Sequence, residues 1–221
     1  GFGRPATPEE RAAARAELGI GPDDVVMGTV TRLHDSKGNE YLVDAARLVL
    51  DARPHARFFL FGEGPLLGSL QAQAAQLQLG ERFVFGGFVK DVRRVLAAFD
   101  VSVFPSLWEG TPLTVFEALA AGKAIVSTDA DGLCEVLTPE TDAVMVPRRD
   151  AAALAGAIIR LMDDGATRER LGGAARRTAE SFDIQLFVNK METLYTRLHD
   201  DSRRTRRRLA EQDALAFLTR G

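Results

Sequence analysis

The sequence contains few of the residues that mark disulfide-rich or metal-binding proteins. Its 221 residues include one cysteine, Cys134, and three histidines. A single cysteine excludes an internal disulfide, which suits a reducing compartment, and we expect a cytoplasmic protein. His34, His55 and His199 lack the spacing of metal ligands, so no bound metal is expected.

Long apolar runs and a strong charge of one sign are also missing. No stretch approaches the ~20 apolar residues that span a bilayer, and no signal peptide opens the chain. The 28 basic and 31 acidic side chains give a net charge of −3, which gives no reason to expect a nucleic-acid partner. The chain also lacks an initiator methionine, and we interpret it as a piece of a longer protein.

Apolar, β-rich runs instead alternate with helical patterns along most of the chain. Strands are predicted at 24–31, 56–61, 82–88, 100–106, 123–128 and 143–147. Helices are predicted near 39–51, 65–78, 91–98, 150–163, 166–180 and 184–198. Continuously apolar strands that are each followed by a helix indicate a parallel sheet covered on both faces. The prediction is an α/β fold with a Rossmann-like doubly wound parallel sheet, which binds ligands at the carboxyl ends of its strands.

The two ends of the chain differ from this pattern. Thr7, Pro8 and Glu10 form the signature of a capped helix start. Residues 1–200 are predicted to be one domain, and residues 201–221 a basic C-terminal tail. The run "RRTRRR" (203–208) favours a solvated or disordered end, with a short helix over 209–218. Contact with an acidic membrane surface, at the inner face of the membrane, is the alternative.

One stretch, "EGTPLTVFEALAAGKAIV" (109–126), carries two carboxylates around a predicted helix start. Thr111 suits the N-cap, Pro112 the first helical position and Gly122 the stop. The free N–H groups at such a start form an anion site for which phosphate is the usual occupant. Glu117 lies one turn, ~5 Å, into the helix, an offset that suits the hydroxyl groups of a ribose. Glu109 lies on the other side of the helix start.

Three further segments lie at the ends of predicted strands, at the same edge of the predicted sheet. "RLHDSKGNE" carries Arg32 and Lys37, two cations that can neutralise a diphosphate. "FGEGP" (61–65) lacks the third glycine of a dinucleotide motif and is interpreted as a turn. "FGGFV" (85–89) offers backbone beside which a flat base could lie. Trp108 and Phe116 are interpreted as packing residues. Each piece alone also fits an ordinary surface loop.

In this order, the pieces resemble the C-terminal domain of the retaining GT-B glycosyltransferases, often called family 4 or group 1. The resemblance covers roughly Pro5 to Leu198 and adds "DGLCEV" and "VMVP" to the motifs above. The E-x7-E spacing of Glu109 and Glu117 within this order is its most specific part. Thr31, Thr111-Pro112 and Ala143 depart from common family residues, which leaves the sugar selectivity open.

The resemblance implies a role for each site residue. Arg32 and Lys37 would bind the diphosphate of a nucleotide sugar donor, Glu117 its ribose, and Glu109 the sugar near the reacting carbon. The backbone at Gly110, Thr111, Pro112, Leu113 and Thr114 would cradle the sugar and phosphate, and Phe88 and Val89 would frame the base. The resemblance implies no cofactor and no metal.

The resemblance also implies that half of an enzyme is absent from this sequence. Family members place their active site between this domain and an N-terminal acceptor domain, so the chain alone is expected to be inactive. The amphipathic pattern over 184–198 would pack toward that domain. The alternative function is a non-catalytic nucleotide-binding or scaffolding subunit. An NAD-binding domain is disfavoured because a complete G-x-G-x-x-G motif is missing.

Overall fold

The computed structural model describes residues 4–110 and 113–218, and it describes side chains through residue 205. The chain divides into two compact units, and the boundary falls between Glu180 and Ser181. The first unit holds the predicted sheet, and the second consists mainly of one helix.

Six strands form one parallel sheet in the first unit. They are β1 (Val25–Val30), β2 (Ala56–Phe61), β3 (Phe83–Gly87), β4 (Val101–Phe104), β5 (Ala124–Thr128) and β6 (Val144–Val146). Their order is β3-β2-β1-β4-β5-β6, and every paired neighbour runs parallel. This is the doubly wound order of a Rossmann-like sheet, so the predicted fold class is confirmed.

In the described part of the first unit, eight α-helices accompany this sheet. They are α1 (Pro8–Glu17), α2 (Asn39–Ala52), α3 (Leu67–Gln76), α4 (Val92–Ala98), α5 (Leu113–Ala120), α6 (Asp131–Cys134), α7 (Ala151–Asp163) and α8 (Gly165–Glu180). The short helix α6 was not predicted from the sequence. The predicted N-cap Thr111 and first helical residue Pro112 lie outside the described residues, and the described part of α5 begins at Leu113.

Two predicted helix ends are confirmed by their hydrogen bonds. The Thr7 hydroxyl accepts from the Glu10 N–H at 3.2 Å, and the Glu10 carboxylate accepts from the Thr7 N–H at 2.8 Å. At the end of α5, Gly122 has a φ of 66°, and its N–H donates to the Leu119 carbonyl at 2.9 Å. The next N–H, that of Lys123, donates to the Ala118 carbonyl at 3.1 Å, which completes a Schellman motif.

The sheet separates two apolar cores because successive side chains of a strand point to opposite faces. On β2, Phe58 and Leu60 join the core under α2, α3 and α7. Phe59 and Phe61 join the other core, under α1, α4 and α5. Both faces of the sheet are therefore covered, as its continuously apolar strands predict.

The second unit contains a single long helix, α9 (Ile184–Leu218). The predicted end of the helix near 198 is therefore wrong, and the short helix predicted over 209–218 is the last part of α9. The 35 residues of α9 contain neither glycine nor proline, so nothing in the sequence interrupts helical hydrogen bonding. The charge run that suggested disorder is compatible with an exposed helix.

Gly28 allows an aromatic ring to pack directly on β1. A Cβ atom at this position would lie 2.2 Å from the ring of Phe99, a fully buried residue that follows α4. We expect Gly28→Ala to lower the free energy of unfolding by about 1–3 kcal/mol, because the ring must shift within a filled core. Chemical denaturation measures this difference.

Gly156→Ala is the matched control. Gly156 is exposed within α7, and a Cβ atom there has no neighbour within 4 Å. The same substitution should raise the free energy of unfolding by about 0.5–1 kcal/mol through helix propensity. Equal effects at the two positions would contradict the packing role of Gly28.

Candidate functional site

The candidate site lies where the order of the sheet reverses direction. Strands β1 and β4 are neighbours, and the helices that follow them, α2 and α5, cover opposite faces of the sheet. The loops at the carboxyl ends of these two strands therefore separate and leave a crevice, which is the usual ligand site of this architecture. Residues 31–38 follow β1, and residues 105–110 follow β4.

Backbone contacts hold these two loops against each other. The N–H groups of Leu107 and Trp108 both donate to the Ser36 carbonyl, at 2.9 and 3.2 Å. Gly38 has a φ of 56°, and a Cβ atom there would lie 2.1 Å from the Pro105 carbonyl oxygen. Only glycine permits both this conformation and this approach.

An ion pair joins the loops at the same point. The Lys37 Nζ atom lies 2.7 Å from Oε1 and 2.6 Å from Oε2 of Glu109. Side-chain exposure is 17% for Lys37 and 8% for Glu109. Ser106 also donates its hydroxyl to Oε1 of Glu109, at 2.7 Å. Lys37 and Glu109 are thus in direct contact, although they are 72 positions apart and were assigned to different parts of a substrate.

Arg32, the other predicted cation, begins the β1 loop and is exposed. The following residue, Leu33, donates its N–H to the Glu63 carbonyl at 2.9 Å, so the "FGEGP" segment supports this loop. Cβ atoms at Gly62 and Gly64 would lie 1.7 and 2.2 Å from carbonyl oxygens of Thr31 and Leu33. The two glycines therefore permit close packing of two loops.

Glu117 lies apart from the ion pair, on α5. It lines a cavity of about 330 Å³ together with side chains of α1 and α4. Partial burial raises the pKa of the Glu117 carboxyl, and the nearby Asp91 carboxylate raises it further. None of the described residues donates a hydrogen bond to this carboxylate or forms an ion pair with it. A half-buried acid without a partner among these residues is a candidate for ligand binding.

The same cavity is also lined by Lys123. Its Nζ atom donates to the carbonyls of Phe99 at 2.9 Å and Ala97 at 3.3 Å, near the end of α4. Burial, with a smaller contribution from the neighbouring Arg11 guanidinium, lowers the pKa of Lys123 to about 8. Lys123 immediately precedes β5, so this part of the cavity lies toward the amino ends of the strands, away from the crevice.

The other predicted site residues differ in exposure. Phe88 and Leu113 are exposed, at 71% and 62%, and Gly110 is exposed as well. Val89 and Thr114 are half-buried, and Val89 packs against the core under α4. Thr111 and Pro112 lie outside the described residues.

Of the two aromatic residues interpreted as packing, only Phe116 is buried. Trp108 is 62% exposed, so that interpretation is wrong for Trp108. The backbone N–H of Trp108 donates to the Ser36 carbonyl, whereas its indole is exposed. The neighbouring Glu109 side chain is buried instead.

Sequence reasoning missed two features of this edge. Ser106 gave no signal, because a serine after a strand is ordinary in a loop. Asp129 and Asp131 form a D-x-D pair, whose carboxylates lie 3.2 and 3.8 Å from the Arg148 guanidinium.

Within residues 4–110 and 113–205, no group of three or more His, Cys, Asp or Glu side chains is placed to hold a metal ion. Among the described helices, none is long and apolar enough to cross a membrane.

Breaking the ion pair should destabilise the chain. Lys37→Met leaves the Glu109 carboxylate buried without a countercharge, and we expect the free energy of unfolding to fall by about 3 kcal/mol. The double variant Lys37→Met/Glu109→Leu should recover most of this loss. Urea denaturation provides the measurement.

Arg160→Met is the control for this experiment. Arg160 pairs with Glu140 at 2.7 Å, but both side chains are exposed, so the loss should stay below about 1 kcal/mol. A Lys37→Met variant no less stable than Arg160→Met would contradict a buried, structurally important ion pair.

Comparison with known proteins adds independent information about this chain. The sequence profile of the family described as glycosyl transferases group 1 matches residues 10–178. A GDP-mannose-dependent monoacylated alpha-(1-6)-phosphatidylinositol monomannoside mannosyltransferase of Corynebacterium glutamicum is 31% identical over 184 residues. These residues are 80% of this chain and 48% of that relative.

Solved structures agree with this similarity. The crystal structure of Anabaena Alr3699/HepE in complex with UDP matches with a TM-score of 0.81 and 25% identity, over 86% of this chain and 54% of that one. The C-terminal domain of a glycosyl transferase group 1 family protein (LpcC) from Francisella tularensis matches with a TM-score of 0.73 and 23% identity. That match covers 82% of this chain and 96% of the domain.

This chain spans about half the length of the curated relatives that it matches. The family profile covers more than half of the chain, including the loops that carry Lys37, Glu109 and Glu117. The chain belongs to the glycosyl transferases group 1 family.

Proposed function

We propose that this chain is the donor-binding half of a GT-B, family 4 glycosyltransferase and that it binds a nucleoside diphosphate sugar. The observation that carries the proposal is the Lys37–Glu109 contact, because it places a cation and a carboxylate together at the switch point between β1 and β4. A donor that lies across this crevice would meet charged groups from both loops.

The diphosphate is assigned to the cationic side of the crevice. Arg32 and Lys37 belong to the β1 loop, and the N-terminus of α5 follows the β4 loop. Helix N-termini and basic side chains together favour phosphate. These groups would stabilise the charge that develops on the leaving phosphate when the bond between the anomeric carbon and the phosphate oxygen breaks.

The ribose, the base and the sugar of the donor are assigned to the other side chains of the site. The ribose would donate its hydroxyl groups to Glu117, whose carboxylate has no partner among the described residues. The exposed Phe88 and the half-buried Val89 follow β3 and would frame the base. The Glu109 carboxylate would accept from a hydroxyl group of the donor sugar near the reacting carbon.

The identity of the donor nucleotide stays open within this class. One relative is named for GDP-mannose, and the similar Anabaena structure contains UDP. Both are nucleoside diphosphate ligands, which supports the diphosphate assignment and leaves the base unassigned. We further propose that the sugar is transferred with retention of configuration, without a metal or cofactor.

Transfer would require an N-terminal acceptor domain. The chain covers only about half of its relatives, which supports a second domain of similar size. Apolar side chains exposed on α9 are candidates for contact with that domain; they are Ile184, Leu186, Phe187, Val188, Leu194, Tyr195 and Leu198. A cytoplasmic location, with the Arg203 to Arg208 run at the inner face of a membrane, completes the proposal.

The ribose assignment is tested with Glu117→Gln. Calorimetry with UDP, GDP and ADP identifies the nucleotide that wild type binds, and the variant should bind it about 10–150-fold more weakly, as for one charge-assisted hydrogen bond. Glu81→Gln, an exposed acid near the amino end of β3, is the matched control and should bind like wild type.

A stability measurement separates binding from folding in this test. The pKa of Glu117 is raised in the folded chain, so stability that is present at low pH is lost as the pH rises through that pKa. At a pH above that pKa, Glu117→Gln removes a desolvated charge, and its Tm should equal or exceed that of wild type. Unchanged nucleotide affinity in this variant would rule out the ribose role.

Sugar transfer itself distinguishes an enzyme half from a scaffolding subunit. We expect residues 1–221 to bind the nucleotide without transferring sugar, because the groups that hold the acceptor and exclude water would lie on the second domain. A longer form with the N-terminal domain should transfer sugar, equally well with and without EDTA. Transfer by residues 1–221 alone would refute the half-enzyme proposal, and an inactive longer form would favour the scaffolding alternative.

A further inference from the structure

Ser106, a buried residue of the β4 loop, contacts the Glu109 carboxylate. It follows β4 by two residues and is 3% exposed. Its hydroxyl donates to Oε1 of Glu109 at 2.7 Å, the same oxygen that accepts from Lys37 at 2.7 Å. The other oxygen, Oε2, accepts from Lys37 at 2.6 Å.

These contacts occupy the two carboxylate oxygens unequally. Each oxygen of an ionised carboxylate has two lone pairs that can accept hydrogen bonds. Oε1 has two donors from the protein, Lys37 and Ser106, whereas Oε2 has one. A further donor is therefore best accommodated at Oε2.

We propose that Ser106 is a positioning residue that fixes the Glu109 carboxylate so that Oε2 is directed to a hydroxyl group of the donor sugar. This inference rests on the proposed function. Lys37 contacts both oxygens, so by itself it would leave the plane of the carboxylate free to tilt about the ammonium group. The hydroxyl of Ser106 makes the two oxygens inequivalent, because it bonds only to Oε1.

Ser106 is itself held by the sheet. The hydroxyl of Thr128, at the end of β5, donates to the Ser106 carbonyl, and both residues are buried. On the other side, the Gly38 backbone abuts the Pro105 carbonyl. Supporting contacts of this kind keep the geometry of a functional side chain fixed.

Ser102 provides a second buried hydroxyl in this part of the chain, one that makes no hydrogen bond to Glu109. It lies on β4 and is 1% exposed, and its Oγ atom has no hydrogen-bond partner among the described residues. Ser102→Ala is therefore a matched control, since it removes a buried serine hydroxyl four residues from Ser106 without touching Glu109.

The first measurement follows the Glu109 side chain in the absence of nucleotide. In protein labelled with ¹³C-glutamate, Glu109→Gln assigns the Glu109 carboxyl signal. We expect Ser106→Ala to broaden or split this signal, because the carboxylate would sample more than one orientation, and Ser102→Ala to leave it unchanged. A Glu109 signal that is the same in Ser106→Ala and wild type would overturn the proposal.

The second measurement isolates the contribution of the sugar to donor binding. The affinity of wild type is compared for matched pairs, UDP with UDP-glucose, GDP with GDP-mannose and ADP with ADP-glucose, and the pair that binds is used for the variants. Ser106→Ala should weaken binding of the nucleotide sugar by about threefold to tenfold, because the hydrogen bond between the sugar and Glu109 is displaced rather than removed, with the nucleoside diphosphate unchanged.

The outcomes separate this inference from the proposed function. Equal weakening of both ligands by Ser106→Ala would indicate a general structural effect and overturn the positioning role, while the donor-binding proposal would stand. A wild-type chain that binds none of the three pairs would refute the proposed function and, with it, the role of Ser106 toward the sugar.

Discussion

The ion pair between Lys37 and Glu109 connects the two halves of the sheet at its functional edge. Lys37 belongs to the half that begins with β1, and Glu109 to the half that begins with β4. A largely buried carboxylate is costly unless a countercharge and hydrogen bonds compensate it, so the burial of Glu109 depends on the two loops lying side by side. The same compensation keeps a carboxylate at the crevice, so the stability of the chain and the proposed contact with the donor depend on one interaction.

Backbone proximity makes that contact possible. Gly38 lets the β1 loop approach the Pro105 carbonyl, and the Ser36 carbonyl receives two N–H groups from the β4 loop. The glycines of "FGEGP" bring the β2 loop against the β1 loop in the same way. The loops after β2, β1 and β4, which are neighbours in the sheet, therefore pack as one layer that includes the exposed Arg32.

Much of the fold could be predicted because its signals are local. Alternating apolar strands and helices predicted all six strands to within two residues at either end, and the Thr7 capping box and the Gly122 stop were correct. The errors arose where local signals were ambiguous or weak. The charge run was interpreted as a solvated or disordered end, although α9 lacks glycine and proline and continues through it. The one-turn helix α6 is too short to show periodicity. Trp108 was assigned to packing by its residue type, although its position in the loop leaves it exposed.

The sequence by itself determined the fold class, the order of the elements and the side chains available for chemistry, because periodicity, capping and turn residues act over a few positions. It could not determine which of those side chains meet. That Lys37 and Ser106 share the Glu109 carboxylate, whereas Glu117 lies in a separate cavity beside Asp91, depends on contacts between residues far apart in the chain. Only the tertiary structure decides such contacts, because the strand order and the close approach of loops fix the distances between groups that no local pattern relates.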